Sequence, residues 1–477
     1  MSLGHTLAPV VPASRQRPLP GGAPATIGIS GDRHWKLTAF LMGLGSQLFV
    51  RLIGYLAFTE VFFLVMLPLK LRAVMAAVAS TPTAAIFTIL GVLWIVGSVV
   101  ADVVNGSPFD ILARGVSRSV FLVLDVVCLL ALWRRKPEKI EFFLIGYPIS
   151  LLASKYAFKS GAEEWLNAET TDFSNWKANT AYLVVGVLFL VVARYYRRAP
   201  LLVAAITFVT GIFFTGMGSR SFGLCQMLAA VLMVVFPGGA RSGAVDLVAV
   251  ARKRQGLVFK IAVGVLIGVA TIYGAGKAYK AATRAGWLGQ QELEKLEEQD
   301  RTKGGVLVGG RFGFFIGLWA ATHKPFIGHG SWPLDTYGYT GQAADLFEVD
   351  TKDVKIMTKR LYWIPCHSAV VGGWVEHGIF GLLFWLFVLY VLFVNFPRAA
   401  VVFPGQAGLY ALIFSDLIWH VLFSPAGHRV ILAAKIVSLL LVDEAWRRQT
   451  WSVRQAAGER RLAAHSGARF PSGSGAT

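Results

Sequence analysis

Three basic residues stand beside apolar segments, where they could do chemistry. Arg220 lies in TGMGSRS, Arg311 opens the segment RFGFFIGLWAATH, and His367 lies in PCHSAVVGG. An arginine at the mouth of a membrane bundle is costly unless it is paired or functional. Guanidinium groups bind phosphate oxygens in bidentate fashion, and an imidazole exchanges a proton near neutrality. The alternatives are an interfacial anchor for Arg220, a surface charge for Arg311 and a structural role for His367.

A second group of residues lies between the second arginine and the histidine. His329 and Trp332 follow a turn in HKPFIGHGSW, where the imidazole could contact a sugar and the indole could stack on one. Lys359, Arg360 and Tyr362 come shortly before the histidine and could hold phosphate or glycan. A packed loop and a solvated charge cluster are the alternative interpretations. The outer segments contain no Asp-x-Asp motif, so we expect neither a divalent metal nor another cofactor.

The composition indicates a membrane protein. Of the 477 residues, 55% are apolar and only 15% are charged, and the mean hydropathy is +0.57. A soluble domain carries about 25% charged residues, so this chain has too few charges to cover a surface of its size. The net charge of +19 does not indicate nucleic acid, because the basic residues form short clusters between apolar runs. Cys128, Cys225 and Cys366 follow neither a disulfide nor a zinc spacing.

The apolar runs predict an all-α, polytopic transmembrane helical bundle of about twelve spans. We place the spans at 36–50, 52–70, 83–104, 115–133, 140–158, 178–193, 200–215, 221–237, 257–276, 368–396, 406–423 and 429–445. Basic clusters between spans mark the cytoplasmic side of a membrane. These clusters and both termini fall on that one side only if the short first span is counted. We therefore expect residues 1–34 to be a disordered cytoplasmic tail, 35–446 the membrane domain, and 447–477 a basic cytoplasmic tail.

The longest segment between predicted spans, residues 277–367, is expected on the periplasmic side of an inner membrane. Loops of this length are usually functional or disordered. Residues 306–321 are apolar and aromatic, which predicts a short helix at the outer interface, and 290–303 predict a polar helix before it. With this topology, we expect Arg220, Arg311 and His367 all to face the periplasm.

The order of these motifs resembles the O-antigen ligase and O-antigen polymerase superfamily. The resemblance consists of Ser-Arg at 219–220, G-R-x(7)-W beginning at Gly310, H-K-P-F-I-G-H-G from His323, and His367 ahead of V-E-H-G-I-F-G. It extends from Thr215 to Leu392. The family often has His-Asn where this chain has His-Ser at 367–368, which bears on the subfamily more than on the reaction.

The resemblance implies a metal-independent, inverting glycosyltransferase whose donor is a glycan on undecaprenyl diphosphate. Arg220 and Arg311 match the two essential arginines of the family and would clamp the diphosphate, while His367 matches its essential histidine and would accept the acceptor's proton. The acceptor is lipid A core for a ligase and a lipid-linked repeat for a polymerase. Both alternatives remain open, because both would use the same donor and the same residues.

Two other classes of function compete with this interpretation. A transporter, such as a flippase of lipid-linked glycan, often has two related halves, whereas no internal repeat is visible here. A scaffolding membrane protein would not require basic residues gathered at one face near one loop.

Overall fold

The computed structural model describes residues 31–52, 54–134, 139–156, 181–217, 219–236, 270, 273–274, 276–300, 311–349, 363–424 and 429–465. Most of this part of the chain is helical. The helices are α1 (Gly31–Gly45), α2 (Phe58–Leu69), α3 (Leu71–Val78), α4 (Pro82–Val104), α5 (Phe109–Trp133), α6 (Lys139–Tyr156), α7 (Ala181–Tyr195), α8 (Pro200–Gly216), α9 (Arg220–Val235), α10 (Gln290–Asp300), α11 (Phe312–His323), α12 (Tyr339–Phe347), α13 (Ala369–Val402), α14 (Ala407–Phe423) and α15 (Arg429–His465). A hairpin pairs β1 (Phe49–Leu52) with β2 (Gly54–Ala57).

Four helical segments of the described chain are long and apolar enough to cross a membrane: α4, α5, α13 and the segment Pro404–Phe423 that ends with α14. The pair α2–α3 makes a fifth if it counts as one span, although its two halves are bent by 96°. Shorter apolar helices include α8, α9 and α11. These helices support a membrane protein of the predicted helical class. The number of twelve spans and the sidedness of the loops remain predictions.

The N-terminal part differs from the predicted boundaries. Instead of spans at 36–50 and 52–70, the chain forms α1, then the antiparallel hairpin, and then the bent pair α2–α3. Pro68 near the end of α2 lacks an amide hydrogen and cannot extend the helical hydrogen-bond ladder, so the chain turns at Lys70. Periodicity could not reveal this arrangement, because the run from 49 to 69 is apolar apart from Arg51, Thr59 and Glu60 and shows no clear strand or helix pattern.

The C-terminal helix also continues past the predicted boundary at 446. Arg447 pairs with Asp443 at 2.8 Å, and Arg448 pairs with Glu444, each one helical turn away. Such pairs support a helix beyond the apolar segment. Residues 1–30 and 466–477 of the two predicted tails and nearly all of the predicted span 257–276 lie outside the described residues.

The core of the bundle lies where α4, α5, α13 and α15 pack together. Trp94 of α4 stacks on Phe384 of α13 with ring centroids 4.6 Å apart, and it meets Trp385 edge-on at 5.7 Å. Gly91 and Gly97 allow this approach, because a Cβ at either position would lie under 3 Å from a side chain of a neighbouring helix. Large aromatic contacts between close helices suit a membrane interior, where tight packing drives helix association.

Helix α13 is broken at His377 and Gly378, and the segment 326–330 docks into the break. His329 N–H donates to Val375 O at 2.7 Å, Gly330 N–H donates to Glu376 O at 3.0 Å, and Ile379 N–H donates to Phe326 O at 3.1 Å. Backbone groups released by a broken helix must be paired when no water reaches them. The docked segment supplies those partners and fixes the position of the chain around it.

We expect Gly378→Ala to destabilise the fold far more than Gly106→Ala. Both glycines have a positive φ, +61° and +65°, but a Cβ at 378 would lie 2.1 Å from Phe326 O, whereas a Cβ at 106 would meet no atom within 4 Å. Gly378 also has ψ −146°, a backbone region that essentially only glycine adopts and that costs another residue about 1–3 kcal/mol. The clash should bring the total at 378 above about 3 kcal/mol. Thermal unfolding in detergent micelles checks this prediction. Equal shifts in the two variants would contradict the described docking.

Candidate functional site

Arg311 and His367 meet at the first turn of α11. Arg311 precedes the helix as its N-cap, and the His367 ring lies against Gly313. A Cβ at 313 would be 2.8 Å from His367 Cδ2 and 3.2 Å from Nε2, so only glycine leaves room for the ring. Burial of the ring and the positive charge of Arg311 both lower the pKa of His367, although the residue as a whole is exposed. The imidazole is therefore neutral at neutral pH.

The Arg311 guanidinium is held by the end of α14. Its Nη1 donates to Phe423 O at 3.2 Å, and its Cζ lies 4.6 Å from the centroid of the Trp419 ring. Partial burial lowers the pKa of Arg311 from its ordinary value, but a guanidinium remains charged at neutral pH after such a shift. An aromatic ring on one face and a carbonyl at one edge orient the group while leaving part of it for a ligand.

Arg220 is the first residue of α9 and is engaged by the segment that follows it in the chain. Its Nη2 donates to Glu292 Oε2 at 2.6 Å, and its Cζ lies 4.0 Å from the centroid of the Tyr279 ring. The Tyr279 hydroxyl donates to the same carboxylate oxygen at 2.8 Å. Burial, followed by this bond to Glu292, raises the pKa of Tyr279. Arg220 is thus one member of a polar cluster and not a lone interfacial anchor.

The two arginines lie at the same end of the bundle. Helix α9 packs against α14, and Cys225 in the second turn of α9 is within electrostatic range of Arg311. Arg220 begins α9 five residues before this cysteine. The structure therefore brings Arg311 and His367 together and places Arg220 on a helix that packs against α14.

The remaining predicted substrate contacts have different surroundings. The His329 ring is buried, its Nε2 donates to Ala320 O at 3.0 Å, and burial lowers its pKa. These contacts make His329 an anchor of the docked segment. Trp332 adopts φ +45°, a conformation that costs a bulky residue roughly 1–3 kcal/mol. Lys359, Arg360 and Tyr362 lie outside the described residues.

The sequence analysis did not identify a buried hydrogen-bond chain beside the site. Trp94 Nε1 donates to His377 Nδ1 at 2.9 Å, and His377 Nε2 lies 3.3 Å from Ser331 Oγ. Ser331 Oγ and its backbone N–H both reach the Asp102 carboxylate, at 2.8 and 2.6 Å. An indole N–H can only donate, so the His377 proton must lie on Nε2. Ser331 then donates its own hydroxyl proton to Asp102. Asp102, Ser331 and His377 therefore form a structural hydrogen-bond chain and not a serine nucleophile activated by a base.

An ion pair lies next to this chain. Arg118 of α5 binds Glu376 of α13. Within the described part of the chain, both carboxyl oxygens of Asp125 lack a hydrogen-bond partner. A charged residue within an apolar helix indicates that an ion-pair partner lies on another helix. The sequence does not show which two charged residues form the pair.

Groups of three or more His, Cys, Asp or Glu side chains that could hold a metal ion do not occur among the described residues. Neither a protein-family model nor a curated protein matches this chain. A functional proposal therefore has to be argued from the residues and their geometry.

We expect Arg311→Gln to raise the pKa of His367, because the substitution removes a positive charge that disfavours the imidazolium. The ¹⁵N chemical shifts of labelled histidine, followed against pH, measure this directly. Arg284→Gln is the matched control, since that side chain is 66% exposed and pairs with Asp300. An unchanged His367 titration in Arg311→Gln would show that the two groups do not interact.

Proposed function

We propose that this protein is a membrane-embedded glycosyltransferase that moves a glycan from undecaprenyl diphosphate to an acceptor hydroxyl. The observation that carries the proposal is the meeting of Arg311 and His367 across Gly313, at one end of an apolar bundle. A permanent cation beside a neutral imidazole suits a reaction in which a diphosphate leaves and a hydroxyl proton is removed. The apolar helices suit a donor that carries a long hydrocarbon chain.

The proposed step is a single displacement with inversion. The acceptor oxygen forms a bond to the anomeric carbon while the bond from that carbon to the diphosphate oxygen breaks. The acceptor's proton passes to the imidazole of His367, which accepts it because its lowered pKa keeps the ring neutral. The leaving undecaprenyl diphosphate keeps the bonding electron pair, and Arg311 stabilises the growing negative charge. No redox partner is required.

Arg220 fits a second contact to the same diphosphate. Glu292 and Tyr279 hold its guanidinium, and its side chain is 27% exposed. A carboxylate on one edge of a guanidinium fixes its orientation, and a planar guanidinium matches the geometry of phosphate oxygens. The proposed acceptor is lipid A core for a ligase or a lipid-linked repeat for a polymerase, and the proposed location is the periplasmic face of a bacterial inner membrane.

A transporter of lipid-linked glycan is the second candidate, and ion pairs within the bundle favour it. Lys435 of α15 binds Asp416 of α14 with both side chains 8% exposed, and Arg429 holds Glu60 at 2.7 and 3.0 Å. Charged groups inside a membrane bundle often mark substrate or proton paths. A transporter would move lipid-linked precursor across the membrane and leave its glycan unchanged.

We expect Arg311→Ala and His367→Ala to abolish glycan transfer, while protein level and membrane insertion stay normal. Arg311→Lys should also fail if a bidentate phosphate contact is required. Purified protein, synthetic undecaprenyl-diphosphate glycan and either acceptor are mixed, and products are read by gel and mass, with Arg284→Gln as control. Full activity of Arg311→Lys would contradict the clamp. Loss of precursor flipping in the alanine variants, with no transfer by the unmodified protein, would favour the transporter.

We also expect transfer to continue in excess EDTA, because the arginines replace a divalent cation in stabilising the leaving group. The same reconstituted assay measures initial rates before and after chelation. Activity that is lost with EDTA and restored by added Mg²⁺ or Mn²⁺ would overturn the metal-free mechanism.

A further inference from the structure

Arg118 lies near the segment that carries His367, because its Cζ is 5.0 Å from the centroid of the Trp332 ring and the next residue, Pro333, accepts from Ile364 N–H at 2.8 Å. Its charge acts on the thiol of Cys366, the residue just before the histidine: burial raises the pKa of Cys366 to about 12, and Arg118 opposes that shift. Arg311 acts on His367 itself. Two guanidinium groups, one carried by α5 and the other at the start of α11, therefore lie near residues 366–367.

The Arg118 guanidinium retains donors for a ligand. Within the described part of the chain its Nη2 alone makes a hydrogen bond, to Glu376. Its side chain is 22% exposed, and its Cζ lies 5.0 Å from the centroid of the Trp332 ring. The carboxylate and the ring orient the group, while its remaining N–H donors point to neither partner.

Trp332 is held in place from both sides. Before it, Gly330 N–H donates to Glu376 O at 3.0 Å, and after it, Ile364 N–H donates to Pro333 O at 2.8 Å. These two bonds fix the backbone of Trp332 in its strained positive-φ conformation. Strain that the surroundings enforce at a bulky residue is typical of ligand clamps and active sites. The strained residue here is the one that supports Arg118.

Trp363 supplies a second indole close to the Trp332 segment. Trp363 pairs with Leu334 in a short antiparallel bridge, and the side chain is 50% exposed. It lies four residues before His367 and next to the bond from Ile364 to Pro333. An exposed indole beside a partly exposed guanidinium offers an aromatic face for the C–H groups of a sugar and a cation for an anionic substituent.

We propose that Arg118, Trp332 and Trp363 form a subsite for an anionic sugar of the acceptor glycan. Trp363 stacks on the sugar ring, Arg118 binds its phosphate or carboxylate, and Trp332 positions Arg118. The inference rests on the proposed function, because inversion requires the acceptor hydroxyl to approach opposite the leaving diphosphate. Arg311 and Arg220 are assigned to the diphosphate, and Trp363 precedes the proposed proton acceptor His367 by four residues, so we assign the Arg118 subsite to the acceptor.

The first test measures binding without catalysis. Saturation-transfer NMR is recorded with galactose 6-phosphate, galacturonate and neutral galactose on the purified protein in detergent. We expect the two anionic sugars to give signals about tenfold stronger than galactose, as one charge-assisted contact allows. Trp363→Ala should remove these signals, and so should Arg118→Gln combined with Glu376→Gln, which leaves no unpaired charge. Equal signals from all three sugars, or unchanged signals in these variants, would overturn the subsite.

A matched control is available for each of the two side chains. Arg114→Gln removes a charge one turn away on α5, and Trp287→Ala removes an indole that is 83% exposed. Both should bind the anionic sugars as the unmodified protein does. Loss of binding in either control would mean that net charge or general aromatic exposure explains the signals, and the subsite would be rejected.

The second test separates acceptor from donor in the reconstituted assay. Trp363→Ala should raise the KM for an anionic acceptor about tenfold, with kcat and the donor KM within about twofold of the unmodified protein. A rise in the donor KM instead would overturn the assignment to the acceptor. If the unmodified protein transfers no glycan, the proposed function fails, and the NMR result alone decides whether the sugar subsite exists.

Discussion

The break in α13 is the constraint on which the rest of the site depends. A helix interrupted within an apolar bundle exposes backbone groups that must find partners, and the segment 326–330 supplies them. Gly378 makes the contact possible, because no side chain would fit between it and Phe326. This docking and the bond from Ile364 to Pro333 fix the backbone on both sides of Trp332.

Asp102 connects the same region to α4. Its carboxylate accepts from Ser107 Oγ, Ser331 Oγ and Ser331 N–H, so a buried charge is satisfied by three donors. From Ser331 the chain continues through His377 to Trp94, and each donor has a defined direction. A buried polar network is stabilising only when its members are all paired, and then it specifies a single arrangement. The network explains how a long connecting segment keeps one position against the helices.

Two helices hold or supply the cations near the candidate site. The end of α14 holds Arg311 with a ring and a carbonyl, while α5 supplies Arg118, whose charge acts on Cys366. Each guanidinium is oriented by an aromatic ring, Trp419 or Trp332. Cations held in this way need little rearrangement when a charged ligand arrives, which is the advantage of preorganised electrostatics.

The sequence alone determined the class of the protein and its short helices. Charge content and apolar runs indicated a helical membrane protein, and 290–300 and 312–323 form helices close to where they were predicted. Periodicity and charge suffice for such elements because both are local properties of the chain. Residue type and position along the chain also single out Arg311 and His367.

Tertiary structure decided the partners. The pairing of Arg118 with Glu376 joins residues 258 positions apart, and Ser331 reaches Asp102 across 229 positions. No local signal encodes such contacts, since they depend on how helices pack and where a loop docks. The hairpin at 49–57 and the bend after Leu69 escaped prediction for a related reason. A mostly apolar run fits a span, a strand or a bent pair equally well, and only packing against neighbouring elements selects among them.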